Sequence, residues 1–453
     1  MQPEVVFLLR AEDAEAFAAA AAALPDLRVE GRVIHLGPRT VTAIGLAGFA
    51  GIGDLCRLEG PRPLLAEVVA LEGTRVRLAP HGEPIGFGSG APVIWRGERG
   101  RLRPHRGWLG RVVDPFGRPR DGGPPLTPGP RARDPRAGPP PAHRRRPLGP
   151  RLRTGVRVLD LFVPVRRGQR LGIFAGAGVG KSSLLSMIAR GCEAEVVVVA
   201  LVGERGRELG EFVRETLGPE GLARSVVVAA TSDEPAPVRA RAAHAATAVA
   251  ETFRDEGRDV LLLFDSVTRF AHAGRELALA AGELPVARGY PPGVFAELPR
   301  LLERAGPGEG EGTITAFYTV LVDGGDFDEP VADAVRGILD GHVVLDRRIA
   351  ERGRYPAVDV LRSLSRTAPG CYAPEERALV AEARRLLARL DEMAELVELG
   401  AYRPGSDPEL DRALALRPAL ERLMVQDVGE APSRVDPFAE LARILRDEGG
   451  AGA

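Results

Sequence analysis

The chain has 453 residues, 61 of them basic and 62 acidic, with aromatics at 5%. That length exceeds one core and predicts two or three domains, while the balanced charge gives no reason to expect nucleic acid or an anionic membrane as an obligatory partner. The three cysteines, Cys56, Cys192 and Cys371, are far apart and form no C-x-x-C pair, which argues against a zinc site or a disulfide framework and suits a reducing cytosol.

Residues 1–95 read as a first domain. An Ala-rich amphipathic stretch, Ala11 to Leu24, is followed by short β-patterned runs at Val29–His35, Leu65–Leu71 and Arg75–Leu78, punctuated by glycine. Short strands with turn signals at this spacing predict a small barrel. Val5-Val-Phe-Leu-Leu9 is too short for a signal-peptide core and lacks a basic leader, and the longest strongly apolar run, Val196 to Val202, is far short of the roughly 20 residues a spanning helix needs. A cytoplasmic location is expected.

Between Pro119 and Pro150 the sequence is dominated by Pro, Gly and Arg and reads as an extended, poorly packing connector, with Arg144-Arg-Arg146 solvated. The connector falls within a middle domain, 96–370, which from Arg151 to about Thr367 alternates strands and helices. Val196–Val202, Ser225–Ala230, Val260–Phe264 and Thr313–Val320 are continuous apolar runs, as expected for strands buried on both faces of a parallel sheet, with helical periods between them such as Arg239–Arg254. After residue 371 the composition turns to Glu, Ala, Leu and Arg, predicting a C-terminal helical domain over Glu375–Arg446.

Chemistry concentrates in Leu171-Gly-Ile-Phe-Ala-Gly-Ala-Gly-Val-Gly-Lys-Ser-Ser183. An apolar strand runs into a glycine-dense loop and then into a helix. Gly176, Gly178 and Gly180 leave backbone N–H groups free to face phosphate oxygens, and the helix aims its positive end at the same place. Lys181 is expected on the β and γ phosphates and Ser182 on Mg²⁺. Ala175 departs from the strict G-x-x-x-x-G-K-[ST] form at its first position. Asp265, ending the Val260–Phe264 strand, emerges at the sheet edge that faces the ligand crevice and fits a metal carboxylate. In Gly203-Glu-Arg-Gly-Arg-Glu208, Glu204 leaves the sheet beside the same crevice and is expected to polarise the attacking water, with Arg205 holding developing charge.

These residues resemble one family. Arg151 to Thr367 looks like the catalytic subunits of the rotary ATP synthase and export ATPase superfamily, in detail the flagellum-specific type III export ATPase and its injectisome relative. The resemblance is carried by Leu109–Asp114, Thr154–Arg157, Phe174–Ser182, Gly203–Glu208, Asp265-Ser-Val-Thr-Arg-Phe270, Gly289-Tyr-Pro-Pro-Gly-Val-Phe295, Leu339–Leu345, Tyr355-Pro-Ala-Val-Asp359, Ser363-Leu-Ser-Arg366 and Gly400–Pro408. Ala175 is usual in the flagellar branch. The first hundred residues match only in general character.

The resemblance implies an N-terminal β-barrel, a RecA-like phosphate-loop NTPase sheet and a C-terminal helical domain. It implies ATP held by Ala175, Gly176, Ala177, Gly178, Val179, Gly180, Lys181, Ser182, Ser183 and an adenine-stacking Tyr355, and Mg²⁺ by Ser182, with Asp265 acting through water. Glu204 becomes the catalytic carboxylate, with Arg205 and Glu208 in the same shell, and Arg366 an arginine finger reaching a neighbour's site. A homohexameric ring follows, hydrolysing ATP to energise flagellar type III export with a stalk or regulator protein, chaperone–substrate complexes and the membrane export gate as partners. Rivals within the class are the injectisome ATPase and a rotary ATP synthase catalytic subunit, the latter opposed by the missing acidic lever segment. A ring-shaped RNA translocase would need exposed aromatics on a basic N-terminal face, which residues 1–95 do not supply, and a purely regulatory subunit is opposed by Glu204.

Overall fold

The computed structural model describes residues 28–37, 39–97, 100–322, 326–430 and 436–446. The amphipathic stretch Ala11–Leu24 lies outside them. The chain divides into a compact unit through Glu98 and a second from Arg99 onward.

In the first unit, glycine and proline break the sequence into runs too short to do anything but pair antiparallel with their neighbours. Six strands result: β1 (Glu30–Leu36), β2 (Val41–Ile44), β3 (Leu55–Leu58), β4 (Leu64–Glu72), β5 (Arg75–Pro80) and β6 (Pro92–Trp95). They close in the order β1-β2-β5-β4-β3-β6, so no edge is left unpaired. Alternate side chains fill the interior, among them Val33, Val41, Ala43, Leu58, Val68, Val76, Leu78 and Val93. The predicted barrel is present; β2, β3 and β6, of four residues each, were too short to show alternation in the sequence.

The second unit is built on a nine-stranded sheet. Its strands are β7 (Arg111–Val113), β10 (Arg170–Ala175), β11 (Val196–Glu204), β12 (Ser225–Thr231), β13 (Asp259–Asp265), β14 (Gly306–Pro307), β15 (Thr313–Leu321), β16 (Gly341–Leu345) and β17 (Val358–Ser365), while β8 (Arg151–Leu152) and β9 (Val165–Arg166) form a separate ribbon. The main order is β17-β16-β10-β15-β13-β11-β12-β7, parallel except for the antiparallel edge strand β17; β14 pairs antiparallel with β15. Period-two geometry explains the continuous apolar runs. Along β11, Val197, Val199 and Leu201 enter one apolar cluster while Val196, Val198, Ala200 and Val202 enter the other, so both faces are covered.

Helices fill both faces. Helix α1 (Lys181–Gly191) follows β10, α2 (Ala236–Asp255) packs on β11, β12 and β13, and α3 (Val267–Ala281) follows β13. The C-terminal region forms α4 (Pro374–Glu392), a short helix at Ala394–Glu398, α5 (Pro408–Met424) and α6 (Pro437–Arg446). Its Val380, Leu386, Leu416, Leu420, Leu441 and Leu445 belong to the same apolar cluster as Leu159, Leu161 and Phe162, so these helices share a core with the nucleotide-domain face they cover. No helix among the described residues is long and apolar enough to cross a membrane.

The connector departs from expectation. Its backbone has little regular structure, and Arg144 and Arg146 are exposed as expected, 3.9 and 3.7 Å from the exposed Glu309 and Glu311, but Arg145 is largely covered and lies 2.8 Å from Glu303. Arg304, fully buried, holds the connector from the other side. Its Nε and Nη2 donate to Glu251 at 2.9 and 2.7 Å and its Nη1 donates to the Pro135 carbonyl. Removing one member of a buried ion pair leaves an uncompensated charge. Glu251→Ala should therefore lower stability by about 3–5 kcal/mol in denaturant titration, and the paired replacement Arg304→Met with Glu251→Leu by clearly less. Equal losses from both would show that the charge pair is not what anchors this segment.

Candidate functional site

Strand β10 ends at buried Ala175, and the chain turns through Gly176–Gly180 into α1 at Lys181. Gly180 has φ +97°, a left-handed conformation that favours glycine, and no side chain caps the helix. The first N–H groups of α1 are thus left for an anion. Val179 is buried and anchors the loop, whereas Ala177 and Gly178 are exposed. Ser182 and Ser183, in the first turn, line a cleft of about 260 Å³ together with Glu204, Glu208 and Asp265.

Parallel pairing brings the carboxylates to the loop. Asp265 is the last residue of β13 and stands in register with Leu201 of β11, whose own last residue is Glu204. Lys181 Nζ donates to Asp265 Oδ1 at 2.6 Å and lies 3.8 Å from Glu204 Oε1. Both carboxylates are buried, Glu204 8% and Asp265 6% exposed. Glu204 Oε1 has no hydrogen-bond partner. Burial, the charge of Asp265 and a hydrogen-bonding contact with Glu208 push the Glu204 carboxyl up to about 7, against the pull of Lys181 and Arg269. A carboxylate poised near neutrality with an unsatisfied oxygen facing a phosphate cradle can accept a proton from water.

One member of this centre went unread in the sequence. Thr319 Oγ1 donates to Asp265 Oδ1 at 2.7 Å, fixing the carboxylate that also receives Lys181. Its only sequence signal was a hydroxyl inside the apolar run Thr313–Val320. The other expected residues stand apart from the cleft. The Arg205 side chain is 79% exposed and 3.9 Å from Glu208. Tyr355 is 44% exposed, and a Cβ on Gly180 would lie 3.5 Å from its ring, which places the ring beside the loop. Arg366, exposed, follows β17 with its N–H donating to the Asp340 carbonyl.

Residues 155–365 match the ATP synthase alpha/beta family, nucleotide-binding domain, and residues 372–443 match the T3SS EscN ATPase C-terminal domain. The chain is 51% identical to the flagellum-specific ATP synthase of Caulobacter vibrioides over 95% of its own length and 99% of the relative's. It is 48% identical to the SPI-2 type 3 secretion system ATPase of Salmonella typhimurium over 87% of this chain and 90% of that one. Among solved structures, the assembled ATPase EscN from the enteropathogenic E. coli type III secretion system superposes with a TM-score of 0.87 at 40% identity, covering 92% of this chain and 100% of EscN. The chain belongs to the ATP synthase alpha/beta family, in the branch of the flagellum-specific ATP synthases and type III secretion ATPases.

Proposed function

We propose that this chain is an ATP-hydrolysing subunit of a homohexameric ring that energises flagellar type III protein export. The observation that carries the reading is the Lys181 ammonium held between Asp265 and Glu204 at the mouth of the glycine loop. The flagellar assignment is supported by the flagellum-specific ATP synthases of Caulobacter vibrioides and Treponema pallidum, each 51% identical to this chain. The ring and its stalk partner are supported by the likeness to EscN, solved as an assembly and in complex with its central stalk EscO. Chaperone–substrate complexes and the export gate complete the reading as partners at the inner membrane.

In this site the loop N–H groups of Gly176–Gly180 and Lys181 hold the β and γ phosphates, and Tyr355 lies against the adenine. Ser182 and Asp265, the latter through water, with Glu208 nearby, supply the hard oxygen donors that suit Mg²⁺, and the orphaned Glu204 oxygen adds to the electronegative lining. Mg²⁺, when bound, neutralises charge on the β and γ oxygens. No group of three or more His, Cys, Asp or Glu among the described residues could hold a metal alone, so the ion would share its shell with phosphate and water. Glu204 orients and deprotonates the attacking water, and Arg205 stands at the rim beside Glu208.

Lys181→Ala tests the reading most directly. Losing a charge-assisted hydrogen bond to phosphate costs about 2–3 kcal/mol, so the dissociation constant for a fluorescent ATP analogue should rise roughly 30- to 150-fold. Unchanged affinity would remove Lys181 from the site. Export itself is tested by expressing the chain in Caulobacter vibrioides lacking its relative: restored motility is expected, and restored ATPase activity without motility would overturn the export assignment.

A further inference from the structure

Gln426 follows the last residues of α5 and is 3% exposed, although it is polar and lies outside the cleft. Its side-chain amide and its own N–H bond the backbone of segments that frame the nucleotide site. Its Oε1 accepts from the Arg157 N–H at 2.9 Å, its Nε2 donates to the Gly155 carbonyl at 2.9 Å, and its own N–H donates to the Tyr355 carbonyl at 3.0 Å.

Those three contacts reach both ends of the phosphate-loop helix. Tyr355 stacks its ring beside Gly180, which precedes α1. Gly155, at φ +77°, meets Gly191 at the other end of α1, where an added Cβ would come within 2.6 Å of the Gly191 Cα. Nearby, Arg190 of α1 donates to the Val428 carbonyl at 2.8 Å, and Arg157 Nε donates to the Leu423 carbonyl at 3.2 Å.

We propose that Gln426 is a positioning residue for nucleotide binding: its buried side-chain amide ties the end of the C-terminal helices to the Gly155–Arg157 segment, which abuts the helix that carries Lys181, and so fixes the backbone N–H that seats Tyr355. Removing the side-chain amide takes away both the donor to the Gly155 carbonyl and the acceptor of the Arg157 N–H, so those two backbone groups are left unsatisfied and residue 426 can shift, carrying its backbone bond to Tyr355 with it. The effect falls on binding of the base rather than on chemistry at the γ phosphate, which Gln426 does not touch. This inference rests on the nucleotide-site reading above.

Gln426→Leu keeps the volume and the backbone bond but removes both side-chain bonds; Gln426→Glu keeps acceptance from the Arg157 N–H. Steady-state ATP hydrolysis should show KM raised about tenfold in Gln426→Leu with kcat within about twofold, and a smaller rise in Gln426→Glu. Because Gln426 acts through Tyr355, adding Gln426→Leu to Tyr355→Ala should raise KM no further than Tyr355→Ala alone. An unchanged KM with only a lower melting temperature, a fall in kcat alone, or additive effects in the double variant would overturn the proposal while leaving the ATPase reading intact. If Gln426→Leu does not fold, the Gln426→Glu KM and its coupling to Tyr355→Ala decide the matter in the same way. Absence of ATP binding by the parent chain would overturn both.

Discussion

Glu204→Gln should bind ATP as the parent does and hydrolyse it at least about a hundredfold more slowly. The glutamine fills the same space at the end of β11 and still hydrogen-bonds water, so the Lys181–Asp265 contact and the loop are left in place. What it cannot do is take a proton. A hundredfold corresponds to about 3 kcal/mol of transition-state stabilisation, within the range of a positioned general base. The pH profile gives an independent reading. Burial and Asp265 hold the Glu204 carboxyl up near 7, and the working form is the carboxylate. In the parent, kcat/KM should therefore climb as pH rises through about 7 and level off above it, and this limb should vanish in Glu204→Gln. Near-normal turnover, or an identical pH limb in the variant, would remove Glu204 from catalysis.

What could be read from the sequence follows from which interactions are local. Lys181, Ser182 and the glycines sit within one strand–loop–helix unit, so their geometry is set by neighbours in the chain. Asp265 and Glu204 end apolar strands, and a parallel sheet brings such ends to one edge whatever the order of its strands. Thr319 was different. Its bond to Asp265 depends on β13 lying against β15 in a particular register, which no local pattern states. Gln426 meets Arg157 across 269 residues, and Arg145 meets Glu303 across 158, so a buried clamp and an anchored connector both looked like ordinary polar surface. The edge strands β7 and β17 and their neighbour β16 were missed because three- to eight-residue runs toward a sheet margin mix polar and apolar residues.

Arg366 carries the second large expectation, because within its own chain it is exposed beyond β17 and lines no part of the cleft around Glu204. In a ring, such an arginine completes a neighbour's site by stabilising charge on the transferring phosphoryl group, a contribution worth about 10³ to 10⁵ in rate in other NTPases. Arg366→Ala should then lose hydrolysis on that scale while its affinity for ATP changes little, since every chain keeps its loop, Lys181 and Glu204. Specific activity of the parent should increase with protein concentration, as the competent site exists only between chains. Mixing Arg366→Ala with Glu204→Gln separates trans from cis action. Interfaces that join an intact Glu204 to an intact Arg366 reappear in mixed rings, and activity should recover to a fraction of the parent's although each variant alone is nearly inert. No recovery in rings shown to be mixed, with specific activity independent of concentration, would place Arg366 outside the reacting site and leave Glu204 to act in a self-contained chain.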